Sequence, residues 1–401
     1  MKKVFIVAAK RTAIGKFLGT ISNVSPTDLA VTVIKNILEE TKINPAKIDE
    51  VIVGNILAAG HKQGIARQAS IKAGIPKEVP AYAVNMICGS GMKSIINGFN
   101  DIQAGDAELV LAGGTESMSL ASFVVPAQIR QGQKMGNYTV IDQMVHDGLT
   151  DAFSDQHMGI TAENIAEQYG ITREMQDDFA FQSQQKAIAA IDGGKFKDEI
   201  VPIEIATKKE TIVFDTDEFP NRGTSPEKLA KLRPAFKKEG SVTAGNASGI
   251  NDGASFVLLA TEEAVKKHGL TPLVEIVATG QGGVDPSIMG MGPVPAIDKA
   301  LKKANMKLAD IKVLELNEAF AAQSLGVMKQ LCEDHKVTPE WLTERANVNG
   351  GAIALGHPIG ASGNRITVSL IHEMKHTGKQ FGLASLCIGG GMGTALILKN
   401  I

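Results

Sequence analysis

The chain has 401 residues, 44% hydrophobic and 21% charged, with a formal net charge of −2 and three cysteines. That length calls for two or three domains, or for one large α/β unit with an insertion. The balanced charge argues against a nucleic-acid binder or a polybasic membrane surface, no apolar run nears the ~18 residues of a bilayer span, and so few cysteines point to a reducing cytoplasm rather than a disulfide framework.

The first apolar run, VFIVAA (4–9), stops at Lys10-Arg11. About six apolar residues are too few for a signal peptide, so a buried strand is expected. TDLAVTVIKNILEETK (27–42) carries apolar residues at helical spacing, and DEVIVGNIL (49–57) and ELVLAGG (108–114) read as strands. Between these two lies NMICGSGMKS (85–94), followed by Met92, Ile95, Ile96 and Phe99 at i, i+3, i+4 and i+7. This spacing predicts a helix with one buried face. The alternation of strand and helix implies a sheet with helices on its faces.

The second part of the chain repeats the first. KIDEVIVGNIL (47–57) is answered by LADIKVLELNEAF (308–320), and PLVEIVATGQGG (272–283) answers the opening strand. The block 82–114 is answered by 346–391, each running strand, glycine turn, amphipathic helix and strand ending in glycines. Gly91 aligns with Gly363, which sets Gly360 opposite Cys88. Two similar halves are expected to pack as similar subdomains with a crevice between them. The divisions are 1–118 plus 251–270 for the first half, 119–250 for an insertion over the crevice, and 271–401 for the second half. The insertion is rich in Met, Gln and charge and reads as long polar loops.

Cys88 stands where a strand meets a helix N-terminus, a place whose dipole and free N–H groups favour a thiolate. It reads equally as a nucleophile or as a buried structural cysteine. His357 lies between Gly356 and Pro358 in the glycine-rich block GGAIALGHPIGASGNR (350–365), which makes it an acid/base candidate, with a turn histidine of no role as the alternative. Cys387 ends a strand before three glycines whose amides suit an anion nest. Asn317 and Glu318 in ELNEAF end another strand. Ligands bind beyond the strand ends of such sheets. Two thiols, an imidazole and an amide suit acyl transfer: one thiol attacks, the imidazole takes its proton, and amide donors hold the oxyanion.

Other signals carry less. HEMKH (372–376) matches a zinc-hydrolase pattern, yet helical projection sets His372 and His376 with Ser369 on a solvated face. GSGMKS lacks the P-loop spacing, and GNASG and GGGMG are weak dinucleotide fingerprints. Cys332 lies in a charged stretch and reads as incidental.

The blocks NMICGSGMKS, AGGTESMS, GLTDAF, HMGITAEN, KLRPAF, TAGNASGINDGA, MGPVPA, LNEAFAAQ, NVNGGAIALGHPIGASG and CIGGGMG occur in order over essentially the whole chain. With them the chain resembles the thiolases, most closely the biosynthetic acetyl-CoA acetyltransferase branch. The resemblance implies a five-layered αβαβα fold of two similar halves with an inserted loop domain that binds coenzyme A. It implies a homotetramer, or at the least a dimer, and no cofactor or metal, since acetyl-CoA, acetoacetyl-CoA and CoA are substrates. By position Cys88 is similar to the nucleophile, His357 to its activating base and Cys387 to the acid/base for the α-proton. Asn317, through a water and with His357, matches one oxyanion hole. The backbone N–H groups of Cys88 and Gly389 match the other. Ser248, His157 and Met158 match contacts to the pantetheine arm and thioester, and Met289 lines the acyl end. Leu149, Arg222, Phe236, Ala244, Ala319 and Phe320 match further coenzyme A contacts. The implied reaction is reversible condensation of two acetyl-CoA; the alternative within the resemblance is a degradative 3-ketoacyl-CoA thiolase of broader chain length. A non-catalytic acyl-CoA carrier on the same fold is disfavoured, because all four reactive positions are filled. The segment KQLCEDHKVTPEWLTERA (329–346) looks longer than is usual and is expected to be a surface elaboration.

Overall fold

The computed structural model describes residues 2–401. The first half contributes β1 (Val4–Thr12), β2 (Glu50–Gly54), β3 (Ala81–Val84), β4 (Leu109–Ser117) and β5 (Asn251–Thr261), hydrogen-bonded in the order β3-β2-β4-β5-β1. The second half contributes β6 (Val274–Gly283), β7 (Val313–Leu316), β8 (Phe381–Ile388) and β9 (Met392–Asn400), in the order β7-β8-β9-β6. A parallel bridge between Leu314 and Ala346 stands where β3 stands in the first half.

The two sheets match pair by pair. β1 and β5 are antiparallel, as are β6 and β9, and each pair has a register shift at the corresponding place, between Ile6 and Ala8 and between Ile276 and Ala278. β2 runs parallel to β4 as β7 runs parallel to β8. The sheets join edge to edge through only two residue pairs, Phe5 with Glu275 and Ile6 with Val274.

Strand side chains alternate between two cores, as the pleat requires. Phe256 and Leu258 of β5 face an outer core, whereas Val257 and Leu259 face the centre; in β9, Ile397 faces outward and Leu396 and Leu398 inward. The outer core of the first half is covered by α1 (Pro26–Thr41) and α2 (Ile65–Lys72). α1 starts where the Ser25 side chain accepts from Asp28 N–H, with Pro26 in its first turn, and it buries Leu29, Ala30, Val33, Ile34 and Ile37. Fully burying each large aliphatic is worth about 1.5–3 kcal/mol.

The central layer consists of α3 (Ser90–Ala104) and one helix from the second half. After α3 come α4 (Met158–Tyr169) and α5 (Arg173–Asp192), then α6 (Pro293–Ala304), α7 (Ala321–His335) and α8 (Ile359–Thr377). α8 packs on α3 between the sheets, and α6 and α7 lie over the outer core of the second half. The result is the expected αβαβα stack. At the centre, a Cβ on Gly91 would lie 2.8 Å from Asn364 N, and one on Gly363 would lie 2.5 Å from Met92 N. The glycines aligned by the repeat thus permit each other's helix to approach.

Residues 119–250 are built differently from the expected long loops. They hold α4, the 20-residue α5, a hairpin of Ile203–Ala206 with Thr211–Phe214, and a short ribbon of Phe123–Val124 with Ile141–Asp142. Ile200–Val201 pairs with β1, and Ile203 and Phe214 enter the first outer core.

Two further expectations are corrected. Segment 329–346 is no mere surface elaboration, since Leu331, Leu342 and Ala346 are buried in the second outer core and Arg345 stacks on Trp341. The HEMKH face of α8 is not simply solvated: Ser369 is buried and donates to Glu199, His372 Nε2 meets Ala9 O at 2.9 Å, and His376 Nε2 meets Asp198 at 2.9 Å. The two imidazoles turn to separate partners because the loop after α5 covers this side of the helix.

Candidate active site

The turn after β3 places Cys88. Ile87 has φ +45°, a left-handed conformation costly for a β-branched residue. Ser90 holds the turn by accepting from Met86 N–H (2.9 Å) and donating to Ile87 O (2.6 Å), and α3 begins at Ser90. Gly89 has no side chain because a Cβ there would overlap Ile388. That close approach brings the Cys88 turn against the end of β8, where Cys387 is buried.

Both thiols are held protonated. Burial pushes Cys88 up to about 11, against the pull of the backbone N–H groups of Gly389 and of Cys88 itself. The backbone N–H groups thus pull toward a thiolate, as expected at a helix N-terminus, and burial outweighs them. Burial and the neighbouring Cys88 thiol push Cys387 higher still. His357 goes the other way: burial and the charge of Arg365 lower it to about 3, so its imidazole is neutral. Its Nε2 has no hydrogen-bond partner. A neutral base and a protonated thiol suit proton transfer at the moment of attack.

Cys88, His357, Cys387 and Gly389 line one cleft of about 1120 Å³. Leu149, His157, Met158, Phe236, Ala244, Ser248, Met289, Ala319 and Phe320 line it too. The His157 ring stacks on Phe236 at 4.5 Å, and Phe236 meets Phe320 edge-on at 6.2 Å. Gly159 leaves room for the Phe236 ring, and its N–H donates to His157 Nδ1. Ser248 N–H donates to Ala319 O (2.9 Å), tying the GNASG loop to the NEAF loop.

Two candidates stand off the wall. Arg222 is exposed and turned toward Asp192, which accepts from Nη1 at 3.0 Å, while its neighbours Asn221 and Gly223 line the cleft. Asn317 is buried behind the wall, and neither its amide N nor its O has a hydrogen-bond partner. Glu318 beside it is structural: it accepts from Ser183, Asn347 and the N–H of Ile353.

Several organising residues lie inside the quoted blocks, but no sequence pattern points to their role. Buried Glu116 accepts from Asn55, from Ile56 and Leu57 N–H and from Gly360 N–H, linking the halves beside the site. A Cβ on Gly360 would lie 2.6 Å from that carboxylate. No side chain fits there, which is why the second half has no counterpart of Cys88. Asn251 and Ser362 both hold His357.

The family models "Thiolase, N-terminal domain" and "Thiolase, C-terminal domain" match residues 4–263 and 270–400. Acetyl-CoA acetyltransferases of Pseudomonas aeruginosa and Escherichia coli are 54% and 52% identical over 401 residues, covering 100% of each chain. Among solved structures, the acetyl-CoA acetyltransferase of Bacillus anthracis superposes with a TM-score of 0.95 at 46% identity, covering 100% of this chain and 99% of that one. The human mitochondrial 3-ketoacyl-CoA thiolase in complex with CoA does so with a TM-score of 0.93 at 46% identity, covering 100% and 98%.

Proposed function

The chain belongs to the thiolase family and is an acyltransferase, and from that premise we propose that it interconverts two acetyl-CoA with acetoacetyl-CoA and CoA through an acetyl group carried on Cys88. The observation that carries this reading is the convergence of two thiols, an unpartnered imidazole nitrogen and the Gly389 backbone on one cleft.

Cys88 Sγ–H gives its proton to His357 Nε2 as sulfur attacks the acetyl carbonyl. The N–H groups of Cys88 and Gly389 hold the oxyanion. The CoA sulfur leaves with the Cys387 proton, and acetyl-Cys88 and a Cys387 thiolate remain. Burial makes that thiolate a strong base, matched to the weakly acidic methyl of a second acetyl-CoA. It removes the α-proton, while the imidazolium of His357 and a water on the unpartnered amide of Asn317 hold the enolate oxygen. The carbanion attacks acetyl-Cys88, and the Cys88 sulfur leaves with the proton from His357. Thiolates leave readily from thioesters, so the scheme calls for no resident cofactor or metal.

The coenzyme A arm lies along His157, Met158, Phe236, Ser248 and Phe320. Arg222, exposed beside the cleft-lining Asn221 and Gly223, is the outermost contact, and to reach the ligand it exchanges its surface ion pair with Asp192.

The same reading makes the protein a cytoplasmic homo-oligomer, a tetramer or at the least a dimer. Edge strand β3 leaves Tyr82 exposed, and Phe123, Met135 and Tyr138 are exposed as well, apolar side chains that a partner subunit would cover. No helix among the described residues is long and apolar enough to cross a membrane.

The test is thiolysis of 3-ketoacyl-CoA substrates of increasing length. Acetoacetyl-CoA is expected to be cleaved fastest when CoA is added. No cleavage by the reduced enzyme contradicts the reading, and faster turnover of longer chains turns it toward the degradative alternative.

A further inference from the structure

His357 is held at two points by residues to which the reaction assigns nothing. Its backbone N–H donates to Asn251 Oδ1 (2.9 Å), and the Asn251 amide donates in turn to Gly15 O (3.0 Å). This fixes the main chain just after Gly356, whose φ of +104° no side chain would tolerate against Asn251. The ring is held separately: Nδ1 lies 2.6 Å from Ser362 Oγ, and Ser362 Oγ lies 2.9 Å from Pro358 O. Ser362 is fully buried, so water does not compete for these bonds.

A serine hydroxyl has one hydrogen and two lone pairs. A carbonyl oxygen only accepts, so the hydroxyl donates to Pro358 O and turns a lone pair toward Nδ1. The neutral ring then carries its hydrogen on Nδ1, and Nε2, buried and without a partner, is a bare lone pair on a ring that lines the cleft with Cys88. The opposite tautomer puts a hydrogen on Nε2 and leaves the ring no free lone pair with which to take the Cys88 proton.

We propose that Ser362 is a positioning residue that selects the Nδ1–H tautomer of His357 and so creates the base for Cys88. The proposal rests on the assignment of His357 as that base. Ser362 orients and does not relay, because the chain of bonds ends on an amide carbonyl that takes no proton. When the Cys88 proton moves to Nε2, sulfur keeps the electron pair and the imidazolium keeps both hydrogens. Its Nδ1–H remains bonded to Ser362, and the Nε2 proton returns when the Cys88 sulfur leaves.

The direct test is the tautomer in the wild-type protein, read by two-bond ¹H–¹⁵N correlation on histidine-labelled enzyme near neutral pH. The His357 signal is identified by its loss in His357→Gln. The expected result is a protonated Nδ1 and a bare Nε2. A protonated Nε2, the arrangement in which Ser362 donates to the ring, overturns the proposal. Kinetics supply the second arm. Ser362→Ala is expected to lower kcat for thiolysis about 10- to 100-fold with KM changed by no more than about twofold, and Ser362→Thr to restore most of kcat. An unchanged kcat in folded Ser362→Ala overturns the proposal as well. Absence of thiolysis in the wild type contradicts the proposed reaction instead, and leaves the tautomer measurement standing.

Discussion

The two halves share a strand order, a register shift at the same place and a helix that crosses its counterpart at the same glycine, yet they carry different chemistry. The first half supplies Cys88 on its glycine turn. The second has Gly360 at the matching position, because Glu116 and the backbone of the first half occupy the space of a side chain. Its reactive groups, His357 and Cys387, come from the residues flanking that position and from the next strand end. The comparison teaches that a duplicated scaffold provides two strand-end platforms facing one cleft, and that packing across the shared helix layer decides which of them can hold a nucleophile.

The division of labour between the thiols is the sharpest way to break this comparison. Cys387→Ala is expected to slow condensation by about 10²- to 10⁴-fold while acetylation of Cys88 persists. The checks are steady-state condensation and mass spectrometry of the acetylated protein. Equal losses in both steps would remove the distinction between the halves.

A smaller effect tests the scaffold. Gly91→Ala and Gly363→Ala overfill the same crossing from opposite sides, so each is expected to destabilise the protein by about 1–3 kcal/mol. The double variant should lose less than the sum, since one substitution already parts the helices. Denaturant unfolding checks this; strict additivity, or no effect of either change, contradicts the reciprocal contact.

A pH effect tests the buried base. His357 titrates near 6.5 when unfolded and near 3 in the folded chain. Between these values only the unfolded chain binds that proton, so wild-type stability falls as pH drops from about 6.5 toward 3. Relative to His357→Gln, the slope is expected to approach about 1.4 kcal/mol per pH unit. Parallel pH–stability curves would show that the imidazole is not held neutral by the fold.

How much of this is legible in the sequence depends on how local the cause is. The strands and the α1, α3 and α8 helices announce themselves through apolar periodicity, and the repeat foretells the matching sheets. Cys88, His357 and Cys387 stand out because glycines flank them at strand ends. α5 is silent, since its inward residues include Gln176, Asp177, Ser183 and Gln184 among small alanines, a helical spacing without a hydropathy signal. Arg222 and Asn221 are adjacent, and no local pattern tells that Asn221 lines the cleft while Arg222 pairs with Asp192 beside it. The bonds of Glu116 to Gly360 and of Asn251 to His357 span more than a hundred residues, so no local pattern betrays them. The rise of the Cys88 pKa is equally hidden, because its cause is burial in the folded chain.

The most direct measurement is to trap the acyl-enzyme. Wild-type protein incubated with acetyl-CoA, quenched in acid and digested should yield one acetyl group on the peptide containing Cys88. Cys88→Ser should yield none on that peptide and should lose at least about 10⁴-fold of its thiolysis activity. An acetyl group on Cys387 in the wild type, or thiolysis undiminished in Cys88→Ser, would contradict the account.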